Sequence, residues 1–211
     1  MQAPASPVRR RAVALIILLL LSAAPLVPAA VGAAPRSTTV WSDTVVLQDG
    51  YTVESGDILV VQSGTTIQLG DDETILVAGR LTVQGTTTAP VLLESIAGNH
   101  DGIVFNSSSN GLGSKIENLT ITDAEYGITV YGSNPTLNDL RVINADRVAV
   151  DLFDGASPRI NNLVIDGGGQ DVHGFSTSWR YGIGLSVGAY SAPIVDGMTA
   201  DGLITRGLNY W

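Results

Sequence analysis

Short runs of alternating apolar and polar residues restart at intervals along the second half of the chain. One six-residue phrase occurs four times, as IENLTI at 116–121, LNDLRV at 137–142, INNLVI at 160–165 and VDGMTA at 195–200. A second apolar phrase follows each copy, and Pro135, Pro158 and Pro193 close the first three copies. Alternation with a period of two predicts β-strands with one buried face. A period of about 20–25 residues built from such strands predicts a solenoid of stacked coils.

The repeat also predicts which side chains stack on one another. One inward row should contain the strand leucines Leu119, Leu140 and Leu163. The next inward row should contain Ile121, Val142 and Ile165. The polar residues before the leucines should stack too, and hydrogen-bond along the stack: Asn118, Asp139 and Asn162. Gly197 breaks that polar series, and Gly127 and Gly182 should open the following strands where the chain bends sharply.

The first half of the chain is expected to form the opening coils of the same solenoid. Four short apolar runs, at 58–61, 66–69, 74–77 and 81–83, are separated by turn residues. A helical fold is excluded, because the chain has 24 glycines and no sustained period of 3.6 residues. A β-sandwich would also show alternating strands, but it would not place the same Asn-Leu-x-Ile phrase at the same phase of each unit.

Two segments of the chain resemble a known family of solenoid proteins. GRLTVQGT at 79–86, followed by APVLLES at 89–95, resembles the first coils of right-handed parallel β-helix proteins, the pectate-lyase-like solenoid superfamily. The phrase IENLTI, followed by Gly127-Ile128, resembles the repeat of that family. The resemblance covers about 40–211 and implies an all-β, right-handed parallel β-helix. It implies little about function, because pectin lyases, glycoside hydrolases, phage tailspikes and adhesins share this solenoid.

The N-terminus is predicted to be a targeting segment. Arg9, Arg10 and Arg11 precede an apolar run at 12–21, and small residues follow up to position 34. We therefore expect a signal peptide at 1–33, an N-terminal cap with a lead-in strand at 34–57, and coils at 58–211. The protein should be secreted or held at the cell surface. A retained N-terminal anchor and a twin-arginine export signal are the alternatives.

The net charge of the chain limits the kinds of molecule that it is expected to bind. The whole chain has a net charge of −9, and removal of Arg9, Arg10 and Arg11 makes it −12. Such an acidic chain does not suit nucleic acid or an anionic membrane, so membrane contact is expected only through a retained anchor. The chain has no cysteine, so its core and backbone hydrogen bonds must stabilise it without disulfides.

Catalytic and metal-binding patterns are weak, and no catalytic residue is assigned. The Asn-Thr-Asp, Gly-His-Gly and Arg-Ile-Lys motifs of galacturonan hydrolases in the resembled family are absent, and Asp71-Asp72 lies in an early turn. Five other aspartates lie at different phases of the repeat and need not converge: Asp123, Asp146, Asp151, Asp154 and Asp166. His100 and His173 occur without cysteine, so no metal or other cofactor is predicted, and calcium on turn carboxylates is the alternative.

The third repeat unit contains an insertion between Gly167 and Arg180. Solenoids place extra residues in loops on one face, often the binding face. The insertion region carries side chains suited to a saccharide, and these are the predicted substrate-binding residues: Asp171, His173, Trp179, Arg180 and Tyr181. The alternative is that Trp179 packs the loop onto the coil wall.

Two functions remain open from the sequence. One is a secreted or cell-surface scaffold for adhesion or contact with a polysaccharide or cell-surface glycan. The other is a polysaccharide lyase or glycoside hydrolase. The sequence stops in the middle of a coil at Trp211, with Leu208 and Tyr210 on an open edge, so further coils or domains are expected after it.

Overall fold

A computed structural model describes residues 37–168, 182–203 and 206–210, and these residues form a parallel β-helix. The predicted signal peptide lies outside the described residues. So do the five predicted substrate-binding residues and Trp211.

The described part of the chain contains seventeen strands and a short 3-10 helix at Ser107–Ser109. The strands, numbered β1 to β17, are Thr38–Trp41, Thr44–Leu47, Tyr51–Val53, Ile58–Val61, Thr66–Leu69, Ile75–Val77, Arg80–Gln84, Val91–Ser95, Ile103–Phe105, Lys115–Thr122, Tyr126–Tyr131, Thr136–Ala145, Val148–Phe153, Arg159–Gly168, Ile183–Val187, Ile194–Leu203 and Arg206–Tyr210. The four strands predicted between residues 58 and 83 are present, two of them with slightly different ends.

The strands pair in parallel into two sheets that run along the stack. Sheet A contains β1, β2, β4, β5, β7, β8, β10, β12, β14 and β16, and sheet B contains β3, β6, β9, β11, β13, β15 and β17. The pairing steps from Lys115 to Thr136 and then to Arg159, which are coils of 21 and 23 residues. The next step, from Arg159 to Ile194, is longer because the insertion lies between β14 and β15.

The segment predicted as a cap with a lead-in strand contains β1, β2 and β3. These three strands pair in register with β4, β5 and β6 of the next coil. In the first three coils sheet A is divided into two ribbons, and β10 joins them by pairing with β7 through Lys115–Glu117 and with β8 through 119–121.

The predicted inward rows are confirmed. Leu119 pairs with Leu140, and Leu140 pairs with Leu163. Ile121, Val142 and Ile165 are paired in the same way, and all six side chains are at most 1% exposed. The core is therefore a set of aliphatic rows that continue from coil to coil. Within a row, each side chain is covered by its equivalents in the coils above and below it.

The predicted polar stack is also confirmed, and it marks a bend in sheet A. Asn118, Asp139 and Asn162 have φ angles of 46°, 52° and 57°, a left-handed conformation that Asn, Asp and Gly adopt more readily than other residues. The Asn162 side-chain amide donates to Asp139 Oδ1 at 2.8 Å, and the Asn118 amide donates to the Gly85 carbonyl at 3.2 Å. The bends at Asn118 and Asn162 are thus each tied to the preceding coil, and the predicted hydrogen bond along the stack is present between Asn162 and Asp139.

The two glycines predicted to open strands play different roles. Gly182 has a φ of +63° just before β15 and makes the expected bend. Gly127, in contrast, lies inside β11, where a Cβ would come within 2.4 Å of the Ala149 carbonyl oxygen. The two glycines do not occupy the same position in the repeat. Ile183 pairs with Val148, so Gly184 is the residue in register with Ala149 and Gly127. The sequence alone does not show this difference in position, because both glycines are followed by an apolar residue.

Candidate functional site

Side chains of sheet B that point away from the aliphatic core form a row along the stack, and its polar members Thr129, Asp151, Ser186 and Asn209 are at most 7% exposed. Ile128 and Val130 of β11 point inward and are fully buried, so Thr129 between them points outward. Thr129 pairs with Val104 on one side and with Asp151 on the other. The row continues to Ser186 and Asn209, so it becomes polar along the stack.

A cavity of about 270 Å³ opens on this face. We call it the sheet B cleft, and it is lined by Asp101, Val104, Tyr126, Thr129, Tyr131, Asp151 and Phe153. Because β11 and β13 pair in register, Tyr131 lies beside Phe153, with the ring centroids 5.0 Å apart and the ring planes 13° from parallel. The cleft therefore combines flat apolar surfaces with carboxyl and hydroxyl groups, the mixture found in sites for small polar ligands.

Among the cleft residues, Asp101 has a carboxyl pKa that is clearly raised above its ordinary value. Burial raises its pKa to about 6, the charges of Glu125, Asp72 and Glu73 raise it further, and Arg147 opposes them. A carboxyl group with such a pKa exchanges protons near neutral pH and is often part of a functional site.

Arg147 is held at the edge of the cleft. Its Nε lies 2.5 Å from Glu125 Oε1, and its guanidinium carbon lies 5.8 Å from the centroid of the Tyr126 ring. Its NH1 group also donates to the Tyr126 hydroxyl at 3.4 Å. Arg147 thus fixes the position of the Tyr126 ring, which lines the cleft.

His100 precedes Asp101 in the chain and is fully buried. Its Nδ1 accepts a hydrogen bond from the Gly102 N–H, and its Nε2 lies 3.0 Å from the Thr122 carbonyl oxygen, so Nε2 carries the proton. Burial lowers its pKa to about 4, although the Thr122 hydrogen bond and the Asp123 charge act in the opposite direction. The residue is therefore a neutral structural histidine that fixes the backbone on either side of Asp101.

The predicted substrate-binding residues lie outside the described residues, and the structure therefore tests neither their contacts nor their role. The ends of the insertion are described. Gly168 pairs with Ala145, the Gly182 N–H donates to the Asp146 carbonyl, and the Ile183 N–H donates to the Arg147 carbonyl. The insertion thus leaves and rejoins the stack beside the coil that supplies Asp151 and Phe153.

The aspartates singled out from the sequence are dispersed. Asp123 and Asp154 have φ angles of 55° and 54° at turns, Asp146 accepts from Asn99 at 2.5 Å, and Asp166 pairs with Arg141 at 2.8 Å. Asp151 alone among them lines the cleft.

Sequence reasoning did not identify Asp101 as a site residue. The available signal was its phase: Ile103 pairs with Ile128, so Asp101 and Tyr126 stand at the same position before a Gly-Ile step. The aromatic pair could also have been recognised, since Tyr131 and Phe153 both close a sheet B strand.

Across 37–168, 182–203 and 206–210, no group of three His, Cys, Asp or Glu side chains could hold a metal ion. In the same part of the chain, no helix is long and apolar enough to cross a membrane.

A second cavity, of about 400 Å³, lies at the last coils. Its lining is mostly apolar, and it includes Leu208 and Tyr210, which are 61% and 76% exposed. Both side chains belong to β17, the last described strand of sheet B. The polar side chains in its lining are the hydroxyl groups of Ser191 and Tyr210, and it includes no carboxyl group.

These features define the class of protein as a parallel β-helix with a cleft on one outer face. In comparisons with known proteins, no family model, no curated protein and no solved structure matched the chain.

Proposed function

We propose that this protein is an exported scaffold of the pectate-lyase-like solenoid superfamily and that it contacts glycans through the sheet B cleft. The observation that carries the proposal is the lining of the cleft, where two carboxyl groups and three aromatic rings surround a cavity of about 270 Å³. Export is proposed from the basic and apolar N-terminal segment.

The chemistry of the cleft suits a sugar ring. The C–H face of a pyranose is apolar and can pack on the parallel Tyr131 and Phe153 pair. Hydroxyl groups at the ring edge can donate to the Asp101 and Asp151 carboxyl groups, and Thr129 can donate or accept. Because the row of outward residues continues along the stack, an extended chain of sugars could lie along sheet B.

A glycan array with two matched variants tests the proposal. Tyr131 is 39% exposed and lines the cleft, whereas Tyr190 is 94% exposed on a turn and does not line it. Tyr131→Ala should weaken binding at least about tenfold, which corresponds to the loss of about 1.4 kcal/mol of stacking and packing. Tyr190→Ala should bind like the unmodified protein. Equal binding by all three proteins, or equal loss in both variants, would contradict the proposed cleft.

Glycoside hydrolysis is the second candidate function, and one observation favours it. Asp101, with a pKa of about 6, lines the same cavity as a second carboxyl group, Asp151. A raised carboxyl pKa suits a general acid that protonates a leaving oxygen, and hydrolases use pairs of carboxyl groups.

Assays for release of reducing ends test this second candidate. If it is correct, Asp101→Asn and Asp151→Asn should each abolish release of reducing ends while glycan binding remains. Binding without release by the unmodified protein would favour the scaffold.

A further inference from the structure

We propose that Asn110 is a site of spontaneous modification, at which the side-chain amide is converted to a carboxyl group through a cyclic imide, and that Asn134 of the next coil slows this conversion. Asn110 and Gly111 form the single Asn-Gly step in the sequence. They lie on the turn that follows β9, and neither residue lines the sheet B cleft. The site is therefore independent of the proposed glycan contact.

The reaction needs only these two residues and water. The backbone nitrogen of Gly111 loses its proton and attacks the side-chain carbonyl carbon of Asn110. The amide nitrogen of Asn110 leaves as ammonia and takes that proton with it, so a five-membered imide ring remains. Water then opens the ring at either carbonyl carbon, which produces an aspartate or an isoaspartate at position 110.

The local structure leaves the Gly111 nitrogen accessible for this attack. Asn110 and Gly111 are both exposed. Gly111 has a φ of +71°, and a Cβ placed on it would have no heavy atom within 4 Å apart from its chain neighbours. Because glycine has no side chain to shield its backbone nitrogen, that nitrogen can approach the Asn110 carbonyl carbon closely.

Asn134 opposes the reaction by holding the same nitrogen. The Gly111 N–H donates to Asn134 Oδ1 at 3.0 Å. Ring closure requires the C–N bond after Asn110 to rotate towards Cβ, and the ψ of 134° at Asn110 turns that bond away. The rotation would swing the Gly111 N–H away from Asn134, so the attack costs a hydrogen bond as well as a change of backbone conformation.

A buried pair of hydroxyl groups keeps Asn134 beside Gly111. Ser109 Oγ lies 2.8 Å from Ser133 Oγ, and both serines are buried. Because Asn134 follows Ser133 directly, this contact fixes the turn after β9 against the turn that carries Asn134. An isoaspartate at position 110 would add a methylene group to the main chain and displace the Gly111 N–H from Asn134. Modification should therefore loosen the exposed part of the turn while the serine pair remains.

Peptide mapping by mass spectrometry during incubation at pH 8 tests the site. The folded protein should convert Asn110 at least about fivefold more slowly than the chain unfolded in urea. Asn134→Ala should raise the rate in the folded protein about two- to tenfold, the range that corresponds to one hydrogen bond. Asn162→Gly is the matched control, because it removes a hydrogen bond from the polar stack of sheet A and leaves Asn134 in place. Its rate should equal that of the unmodified protein.

Hydrogen exchange of the unmodified protein gives a second measurement that needs no variant. The Gly111 amide should exchange more slowly than the Gly113 amide, for which the described part of the chain supplies no acceptor. Equal exchange of the two amides, or an unchanged rate of conversion in folded Asn134→Ala, would overturn the role of Asn134. Equal acceleration in Asn134→Ala and Asn162→Gly would also overturn it, because the cause would then be a general loss of stability. An Asn110 that remains intact even in the urea-unfolded chain would overturn the site itself.

Discussion

Acidification should destabilise this β-helix through one buried side chain, His100. Its two ring nitrogens are both engaged, since Nδ1 accepts from the Gly102 N–H and Nε2–H donates to the Thr122 carbonyl. A second proton would have to enter at Nδ1, where it would face the Gly102 N–H and break that hydrogen bond. The ring is fully buried, so the charge would also be poorly solvated.

The magnitude follows from the change in pKa on folding. The pKa of His100 falls from 6.5 in the unfolded chain to about 4 in the folded one, so the unfolded chain binds more protons between these values. The stability that depends on neutral His100 is therefore fully present above pH 6.5 and is lost as the pH falls through 4. The expected loss is about 2 kcal/mol between pH 7 and pH 5, and about 3 kcal/mol by pH 4.

Asp101 acts in the opposite direction. Its pKa is raised from 3.8 to about 6 in the folded protein, so it favours folding below pH 3.8 and loses that contribution as the pH rises through 6. Its carboxyl group is partly exposed, so solvent reduces the effect, and His100 should dominate.

Urea unfolding at pH 7, 6 and 5 separates the two groups. His100→Asn keeps an acceptor for the Gly102 N–H and removes the titrating ring. The variant should be less stable at pH 7 but should lose about 2 kcal/mol less than the unmodified protein between pH 7 and pH 5. Asp101→Asn should lose more than the unmodified protein. If His100→Asn and the unmodified protein lost the same stability, within about 0.5 kcal/mol, the reasoning about His100 would be refuted.

Three further predictions concern the core, the polar stack and the N-terminus. Leu140→Ala should lower the free energy of unfolding by about 2–5 kcal/mol, and a loss below about 0.5 kcal/mol in denaturant titration would show that the position is not core. Asn162→Ala should destabilise the protein by about 1 kcal/mol more than Asn162→Gly, because glycine tolerates the φ of 57° and both variants lose the bond to Asp139. N-terminal sequencing of the secreted protein should begin near Ala34, whereas a start at Met1 on membrane-bound material would support an anchor.

The insertion gives one more prediction, and it stands apart from the cleft. If 167–181 binds a saccharide, Trp179→Ala should abolish glycan-array binding with thermal stability nearly unchanged. If Trp179 packs against the coil, the same change should destabilise the fold by about 3–5 kcal/mol, and binding should fall only in step with folding.

The sequence predicts the coils well because their determinants are local and repeated. Leu119, Leu140 and Leu163 stand at one phase of a period-two pattern, so their stacking follows from the repeat alone. The bend at Asn118 was predictable for the same reason. A tight corner was predicted at Ala124, Ala145 and Gly168, and the structure has a left-handed corner one residue earlier in each of these coils and in the next one, at Asp123, Asn144, Gly167 and Gly202.

The cleft could not be predicted in the same way because it depends on register between coils. Asp101 and Asp151 are fifty residues apart, and only the pairing of β9 with β11 and of β11 with β13 brings them to one cavity. The segments that connect sheet A to sheet B vary in length from coil to coil. The position of an outward-pointing residue in sheet B therefore cannot be found by counting along the sequence from sheet A. Gly127 and Gly182 show the same difficulty on a smaller scale, because each is followed by an isoleucine although the two glycines lie at different positions of the repeat.

A crystal structure of the protein with the tetrasaccharide that it binds most tightly would test the central claim most directly. The account predicts a sugar ring packed on Tyr131 and Phe153, with a polar group of that sugar within hydrogen-bond distance of the Asp101 or Asp151 carboxyl group. A sugar bound only by residues of 167–181, or on sheet A, with the sheet B cleft holding none of it, would contradict the claim.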